Sequence, residues 1–469
     1  MADIVVCGGS VIGLSVAMML ADDGHRVTVF EQDAAAVPEN ASEAWDRWDR
    51  HGVAQFHQPH NLFARARQVF DEELPGITEA LLAAGCVWVD PLAGMPPFIE
   101  DRSPRPNDDR LRYVTGRRPV IEAALAGATS SRANLSVRRG VTVEGLVTAS
   151  TPGDGETPHV TAVRLADGDG DGDECAADLV IDATGRRSKL GDWLDEIGAP
   201  PPEQESEDSG FVYYTRFFTG PETPQLIGPP QMPLGTVSIL TLFGDNDTWS
   251  VTVWAASADT ALRGLRDADA FTRVVQACPL QAHWLNGTPI TDVLVMAGVM
   301  DKRRRLVVDG EPVATGVVAV GDAWACTNPS AGRGISVGLL HAQRLRHCVR
   351  AGLDDAAAFA RRFDSATEHD VAPFFHDQVA NDRARIAQME ALRNGVDTPA
   401  SEPMTELFGD ALLFDADVFR AAMETVTCLA LPQEILARPG MAERIATRAG
   451  GTPMPFPGPS REQLLQLIG

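Results

Sequence analysis

Residues 8–13 read GGSVIG, after the apolar run ADIVVC and before LSVAMMLADDG and HRVTVFE. The composition of these pieces predicts a buried strand, a glycine turn, a helix closed by Gly24, and a second strand. A turn of this kind can set backbone N–H groups at a helix N-terminus against a pyrophosphate, where the helix dipole favours negative charge. Gly8 and Gly13 take the first and third glycine positions of the pattern G-x-G-x-x-G. Ser10 stands at the second, where glycine lets the backbone approach the pyrophosphate closely. Serine is small and keeps its N–H, Gly9 beside it adds freedom, and Val11 opens the helix. Glu31 lies about 20 residues beyond the turn, at the end of the second strand, where an acid can accept hydrogen bonds from an adenosine ribose. A generic strand–helix–strand turn is the competing reading. The order strand, turn, helix, strand, acid favours dinucleotide binding.

Two later stretches repeat the theme of a strand running into a polar turn. Residues 178–188 read DLVIDATGRRS, with Thr184 and Gly185 after the strand. Residues 317–334 read VVAVGDAWACTNPSAGRG, where a strand ends at Gly321 and Asp322, Pro329 follows, and Gly332 and Gly334 open a helix. An aspartate at a strand end can accept from a ribityl or ribose hydroxyl. A glycine-rich helix start can present N–H groups to a phosphate or to a flavin pyrimidine oxygen.

Together with GGSVIG, these stretches resemble the FAD-dependent monooxygenases with a glutathione-reductase-type FAD fold: class A aromatic hydroxylases, squalene-type epoxidases and flavin halogenases. The resemblance runs in order through residues 1–350. It implies that Asp322 contacts FAD and that residues 329–334, with Pro329, Gly332 and Gly334, face the isoalloxazine. The helix GRRPVIEAAL resembles the family's R-x-x-L-x-x-x-L helix, with Arg118, Ile121 and Leu125 at those positions. That places Arg118 near the ribose-phosphate region, with Arg117 as the fallback. The stretch beginning DRHGVAQFHQPH resembles the epoxidase segment R-x-G-V-P-Q-x-x-x-x-H, and so implies that Arg50, Gln55 and His60 lie beside the flavin. NAD(P)H as a transient reductant and O2 as co-substrate come with the same resemblance.

The chain departs from the family in places. Thr184 stands where an aspartate is usual, and Ala325 where many hydroxylases have histidine. AWDRWDR lacks the Ile-Pro of the halogenase signature, which argues against halogenation. Neither a second G-x-G-x-x-G nor a C-x-x-C occurs, which argues against the two-dinucleotide reductases.

The elements that must position these residues form an α/β chain. The expected divisions are a Rossmann-like FAD-binding domain with a parallel sheet, in three parts (1–95, 113–200 and 305–350), and a surface loop at 96–112. An inserted mixed or antiparallel β-sheet substrate domain spans 201–304. A C-terminal helical cap with a Pro/Gly-rich tail spans 351–469. GTVSILTLF and TWSVTVWAA flank the polar turn GDND and read as a hairpin. Tyr213, Tyr214, Arg216, Phe218, Leu240, Leu242 and Trp254 are candidates to line a substrate cavity, although alternation turns only about half of such residues to one face. Pro373 should break the C-terminal helical run.

The chain has 469 residues and a net charge of −25. A surface this acidic disfavours nucleic acid as a partner. No apolar stretch is long enough to span a membrane, and no secretory signal is evident, so the expected compartment is the cytoplasm. The seven scattered cysteines read as reduced thiols. Three further motifs read as structure rather than sites. DGDGDGDECAAD imitates the opening of a calcium loop but lacks its terminal glutamate. His51, His57 and His60 lack the thiol or carboxylate a metal would want, so no metal is expected. KRRR at 302–305 reads as a solvated face or a set of internal ion pairs.

The functional expectation is an FAD-dependent monooxygenase acting on a hydrophobic small molecule of the secondary-metabolite kind, as a monomer or homodimer. No catalytic acid or base is nominated. An FAD-dependent reductase without oxygen insertion, resembling geranylgeranyl reductases, is one alternative. A non-catalytic flavin-fold binding protein is another.

Overall fold

A computed structural model describes residues 1–53, 55–149, 156–166, 173–399, 403–448 and 457–469. The acidic run at 167–172 and most of the Pro/Gly-rich tail at 449–456 lie outside them.

Five parallel strands form the first sheet, in the order Val317–Ala319, Leu179–Asp182, Asp3–Cys7, Arg26–Glu31, Leu135–Arg139. The central strands are apolar at successive positions because both faces are covered. On one face lie the helices Val11–Asp22 and Gly334–Arg350, which share a core with Ile4, Val6, Leu14, Met18, Ile181 and Leu339. On the other lies a small antiparallel sheet, Val143–Thr148, Val160–Leu165 and Glu174–Ala176, packed on Val5, Cys7 and Val180. Every parallel strand therefore delivers its carboxyl-terminal loop to one edge, where ligands bind in folds of this kind.

The second body is an antiparallel sheet of Gln231–Leu234, Val237–Phe243, Thr248–Ala256, Phe211–Thr219 and Thr288–Pro289, with Leu294–Ala297 also paired to Phe211–Thr219. The expected hairpin is present: Phe243 pairs Trp249 across GDND. Asn246 and Asp247 are both left-handed there (φ 47° and 57°), as a tight two-residue turn requires. The turn also joins the two bodies. Asp245 is fully buried and accepts from the Arg117 backbone N–H (2.8 Å) and from its guanidinium (2.7 and 3.0 Å). Arg117 is thus occupied at this junction.

The C-terminal run breaks at Val371 between helices Ala356–Asp370 and Ala372–Asn394, with Pro373 in the first turn of the second. Pro has no N–H to give and fits that position. The longer helix crosses to the antiparallel sheet, where Met389 and Ile386 pack on Phe211, Tyr213 and Trp254. The last helix, Arg461–Ile468, belongs with the second body, and its Leu464 is buried against Leu262, Phe271 and Trp284. No helix among the described residues is long and apolar enough to cross a membrane.

Candidate functional site

The glycine turn is tightly built. Gly8 has φ +105°, and a Cβ there would lie 2.5 Å from the Ala183 carbonyl oxygen. A Cβ on Gly13 would lie 1.9 Å from the Gly8 carbonyl oxygen. These contacts hold the turn against both the helix and the neighbouring strand loop. The first-turn amides of Val11–Asp22 have no partner within the helix and point out at this edge. Val11 itself is buried in the core, so only its backbone reaches the edge.

Ser10 is not a bare substitute for glycine. Its hydroxyl donates to Glu122 Oε1 (2.7 Å) and accepts from Arg118 Nη2 (2.9 Å). Arg118 Nε also donates to Glu122 (2.6 Å), so Nη1 is the guanidinium nitrogen left for a ligand. Beneath this pair sits Arg50, with side-chain exposure of 1%. It donates to Glu31 (2.6 Å), Asp33 (2.9 Å) and Glu122 (2.8 Å). Burial works against the Arg50 charge, but Glu122, Glu31 and Asp33 outweigh it and raise its pKa. Glu31 also accepts from the Gly9 amide (2.8 Å). Expected beside a flavin, Arg50 instead lies inside an ionic cluster that fixes Glu31 and the turn.

The second and third loops meet the turn from the side. Asp182 is sealed by its own loop, accepting from the Thr184 amide (2.9 Å), the Thr184 hydroxyl (2.6 Å) and the Ser188 hydroxyl. That leaves Thr184 and Gly185 to face the cleft. Asp322 also lines it. Burial raises its pKa, against the pull of Arg118 and Arg186. Gly321 (φ +58°) turns the chain under Ile12. Pro329, Gly332 (φ +67°) and Gly334 lead into the helix Gly334–Arg350, whose N-terminus opens on the same cleft.

Ser10 and Ile12 of the turn and parts of the second and third loops border one cleft enclosing about 1520 Å³, its open mouth included, while Gly8, Gly13, Glu31, Arg50, Asp182 and Gly321 lie behind its lining. Ser10, Gln55, Arg118, Thr184, Gly185, Asp322, Pro329, Gly332 and Gly334 all line it. The antiparallel sheet closes the far side with Tyr213, Leu240, Leu242 and Trp254. Tyr214, Arg216 and Phe218 do not reach it. They alternate to the opposite face, where Tyr214 and Phe218 join the core with Trp249 and Phe271. Arg216 donates there to Thr291 O (3.2 Å). Alternation alone does not tell the two faces apart, because both sides of this strand are largely apolar and buried.

Reasoning from sequence missed Glu122, Asp33, Arg186, Thr215, Thr252, Met296, Asn61 and Phe63. Glu122 carries a usable signal, four residues after Arg118 on one helix face. The others are assembled by tertiary contacts alone. His60 lines the cleft with Nδ1 held at 2.8 Å from the Gln58 carbonyl. Burial and the charge of Arg118 push its pKa down to about 3, so it is neutral. His57 stacks edge-on against Trp45 and Phe56, and His51 is exposed beside Asp49. The KRRR run is an ion-pair ladder: Arg303 meets Glu205 (2.5 Å) and Glu368, and Arg305 meets Asp364 (2.8 Å).

The loop 329–334 is anchored from behind. Ser330, which lines the cleft, donates to Asp382 and accepts from Gln378 (2.7 Å). Gln378 also donates to Asp382 (3.0 Å). Burial raises the Asp382 carboxyl to about 6; Gln378, Ser330 and Arg333 pull it down, while Asp301 pushes it up. The folded state therefore binds this proton more tightly than the unfolded chain. Its contribution to stability is fully present below about pH 4 and is lost as pH rises through about 6. Asp382→Asn should remove that slope. The variant should gain on the parent by up to about 3 kcal/mol between pH 4 and pH 8, read by urea unfolding at each pH. Parallel pH profiles for the two proteins would show that Asp382 is not the titrating group.

No protein-family model matches this chain. Protein Rv3254 of Mycobacterium tuberculosis is 28% identical over 378 residues, covering 74% of this chain and 73% of that protein. Among solved structures, the Diels-Alderase PyrE3 of pyrroindomycin biosynthesis superposes with a TM-score of 0.60 at 17% identity, covering 91% of this chain and 80% of its own. The anhydrotetracycline hydroxylase OxyS of Streptomyces rimosus gives 0.57 at 17%, covering 92% and 76%. The probable FAD-dependent monooxygenase PqsL of Pseudomonas aeruginosa gives 0.57 at 16%, covering 84% and 97%. The chain therefore shares the fold of these three structures: a parallel-sheet body, an antiparallel-sheet body and a helical C-terminal region.

Proposed function

We propose that this chain is an FAD-dependent monooxygenase that uses NAD(P)H and O2 to hydroxylate or epoxidise a hydrophobic small molecule. One observation carries the reading. Ser10 and Ile12 of the glycine turn, Arg118, Asp322 and the N-terminus of Gly334–Arg350 border a single cleft whose opposite wall is an uncharged, largely apolar sheet face. The residues present fit a flavin dinucleotide. The turn packs so closely on its own helix and on the Ala183 loop that Gly8 and Gly13 admit no Cβ, and two helix N-termini open on the cleft with first-turn amides that have no partner within their helices.

In this reading Glu31 receives the adenosine ribose, and the turn from Gly8 through Ser10 to Gly13, with Arg118, holds the pyrophosphate. Asp322 accepts from the ribityl chain, Gly321 turns that loop toward it, and Thr184 and Gly185 border the middle of the dinucleotide. Residues 329–334 and Gln55 surround the ring. FAD, when bound, accepts a hydride from NAD(P)H and activates O2 for transfer of one oxygen atom. The chain's own contribution is position and dryness. Tyr213, Leu240, Leu242 and Trp254 present no charge to the substrate, and neutral His60 adds none.

The purified protein should show a flavin absorption spectrum and substrate-accelerated NAD(P)H oxidation, and label from isotopic O2 should enter the product. A protein that stays colourless with added FAD would overturn the reading in favour of a binding protein. Turnover without O2 would favour a reductase.

A further inference from the structure

A second cavity adjoins the main cleft. It encloses about 750 Å³ with its mouth, and Asn61, Phe63, Gln231, Leu240 and Leu242 line both. Its remaining wall brings together Tyr113, Phe243 and one face of the C-terminal helix Ala416–Val426, with Phe419, Met423 and Val426. Among the described residues, no Asp, Glu, Lys, Arg or His lines it.

The helix that closes it is fixed from outside. Arg420 donates to Asp108 (2.8 and 2.9 Å) and to the Ser103 carbonyl (3.0 Å). Arg65 holds the carbonyls of Cys428 and Leu429 (3.0 Å each), just beyond the helix end. The charges that secure this wall are thus spent on its outer side, and its inner side is apolar. At the junction of the two cavities, the Asn61 amide carries a buried Oδ1 with no hydrogen-bond partner. An orphaned amide on a largely apolar wall, whose other polar residues are the uncharged Gln231, Thr241, Thr427 and Tyr113, is the signature of a site that orients a ligand through a few polar groups.

We propose that this side chamber is a second substrate compartment: it receives an extended, uncharged, apolar part of the substrate, while the reacting end lies in the main cleft and a polar group meets Asn61 at the junction. The inference rests on the monooxygenase reading for which end reacts. It also assigns a role to the C-terminal helices, namely the wall that selects elongated molecules over single rings.

The test is isothermal titration of the full-length protein with 4-alkylphenols from ethyl to heptyl. Affinity should rise with chain length, by up to roughly fourfold per methylene where burial is complete. The heptyl-to-ethyl affinity ratio is the readout. It should collapse in Met423→Trp and Val426→Trp, which fill the chamber. Asn61→Leu should weaken the whole series by a common factor of about five to ten and leave the ratio intact. A flat wild-type series, or a ratio that survives both tryptophan variants, overturns the proposal. If neither variant folds, the wild-type series alone decides. A colourless protein that still shows the ratio would sink the monooxygenase reading and leave the chamber standing.

Discussion

Arg50→Met should cost about 3–5 kcal/mol of folding stability and strip the protein of bound flavin. The cluster around Arg50 holds three acids, Glu31, Asp33 and Glu122, and three arginines, Arg50, Arg118 and Arg139, so its formal charges balance. Glu31 and Glu122 are almost fully buried. Removing Arg50 leaves three carboxylates against two guanidiniums. Arg139, whose Nη atoms are buried without partners, is not placed to take over the bonds that Arg50 makes. Lysine would not substitute, because one ammonium cannot present a planar fork to three acids and a carbonyl. The loss of flavin follows from Glu31: without Arg50 the acid at the end of its strand keeps only the Gly9 and Asp33 amides and loses the one charged group of the three donors that fix it. The double variant Arg50→Met, Glu122→Gln should recover part of the stability, because it removes one of the orphaned charges. Urea unfolding with and without FAD measures both effects. A stability change below about 1 kcal/mol would mean that water replaces Arg50 in the cluster.

How far the sequence discloses this site follows from the range of each interaction. The glycine turn, its helix and Glu31 lie within one strand–helix–strand unit, so their spacing alone places them. Asp322, just past the short strand Val317–Ala319, and Gly334, which opens the helix that follows it, are legible for the same reason. Arg50 is different. Its partners lie 17, 19 and 72 residues away, and only the closed fold shows that it serves the cluster and not the cleft directly. The strand Phe211–Thr219 fails in another way. Alternation separates Tyr213 from Tyr214, but both faces are covered, one by the cleft wall and one by the helices Ala268–Gln276 and Arg461–Ile468. Nothing local says which aromatic looks inward. The chamber wall is furthest from legibility, since Phe419 and Met423 approach Tyr113 and Leu242 across most of the chain.

Among the described glycines, Gly13→Ala should be the most damaging alanine substitution. The new Cβ would sit 1.9 Å from the Gly8 carbonyl oxygen and 3.0 Å from its carbon, both backbone atoms with no rotamer to escape into. Gly8 cannot yield, because its left-handed backbone already brings it against Ala183, and its amide is tied to the Phe30 carbonyl (2.8 Å). The helix cannot lift, because Val11, Leu14, Val16, Met18 and Leu20 are buried in the core beneath it. The strain must therefore open the turn itself. The expected results are a loss of about 3 kcal/mol or more and the disappearance of bound flavin. Gly127→Ala is the matched control. Gly127 lies in a helix with nothing within 4 Å of the added carbon, so the same change there should stabilise by about 0.5–1 kcal/mol. Thermal unfolding gives the two stabilities, and the flavin-to-protein absorbance ratio gives occupancy. If Gly13→Ala kept its flavin, the close contact between turn and helix would not be what shapes the dinucleotide site. Ser10, which already carries a side chain in that turn, would then be no exception to it. If the flavin is lost, the contrast explains why serine is tolerated at position 10: its Cβ points to Glu122 and Arg118, which bind its hydroxyl, whereas a Cβ at position 13 points into backbone.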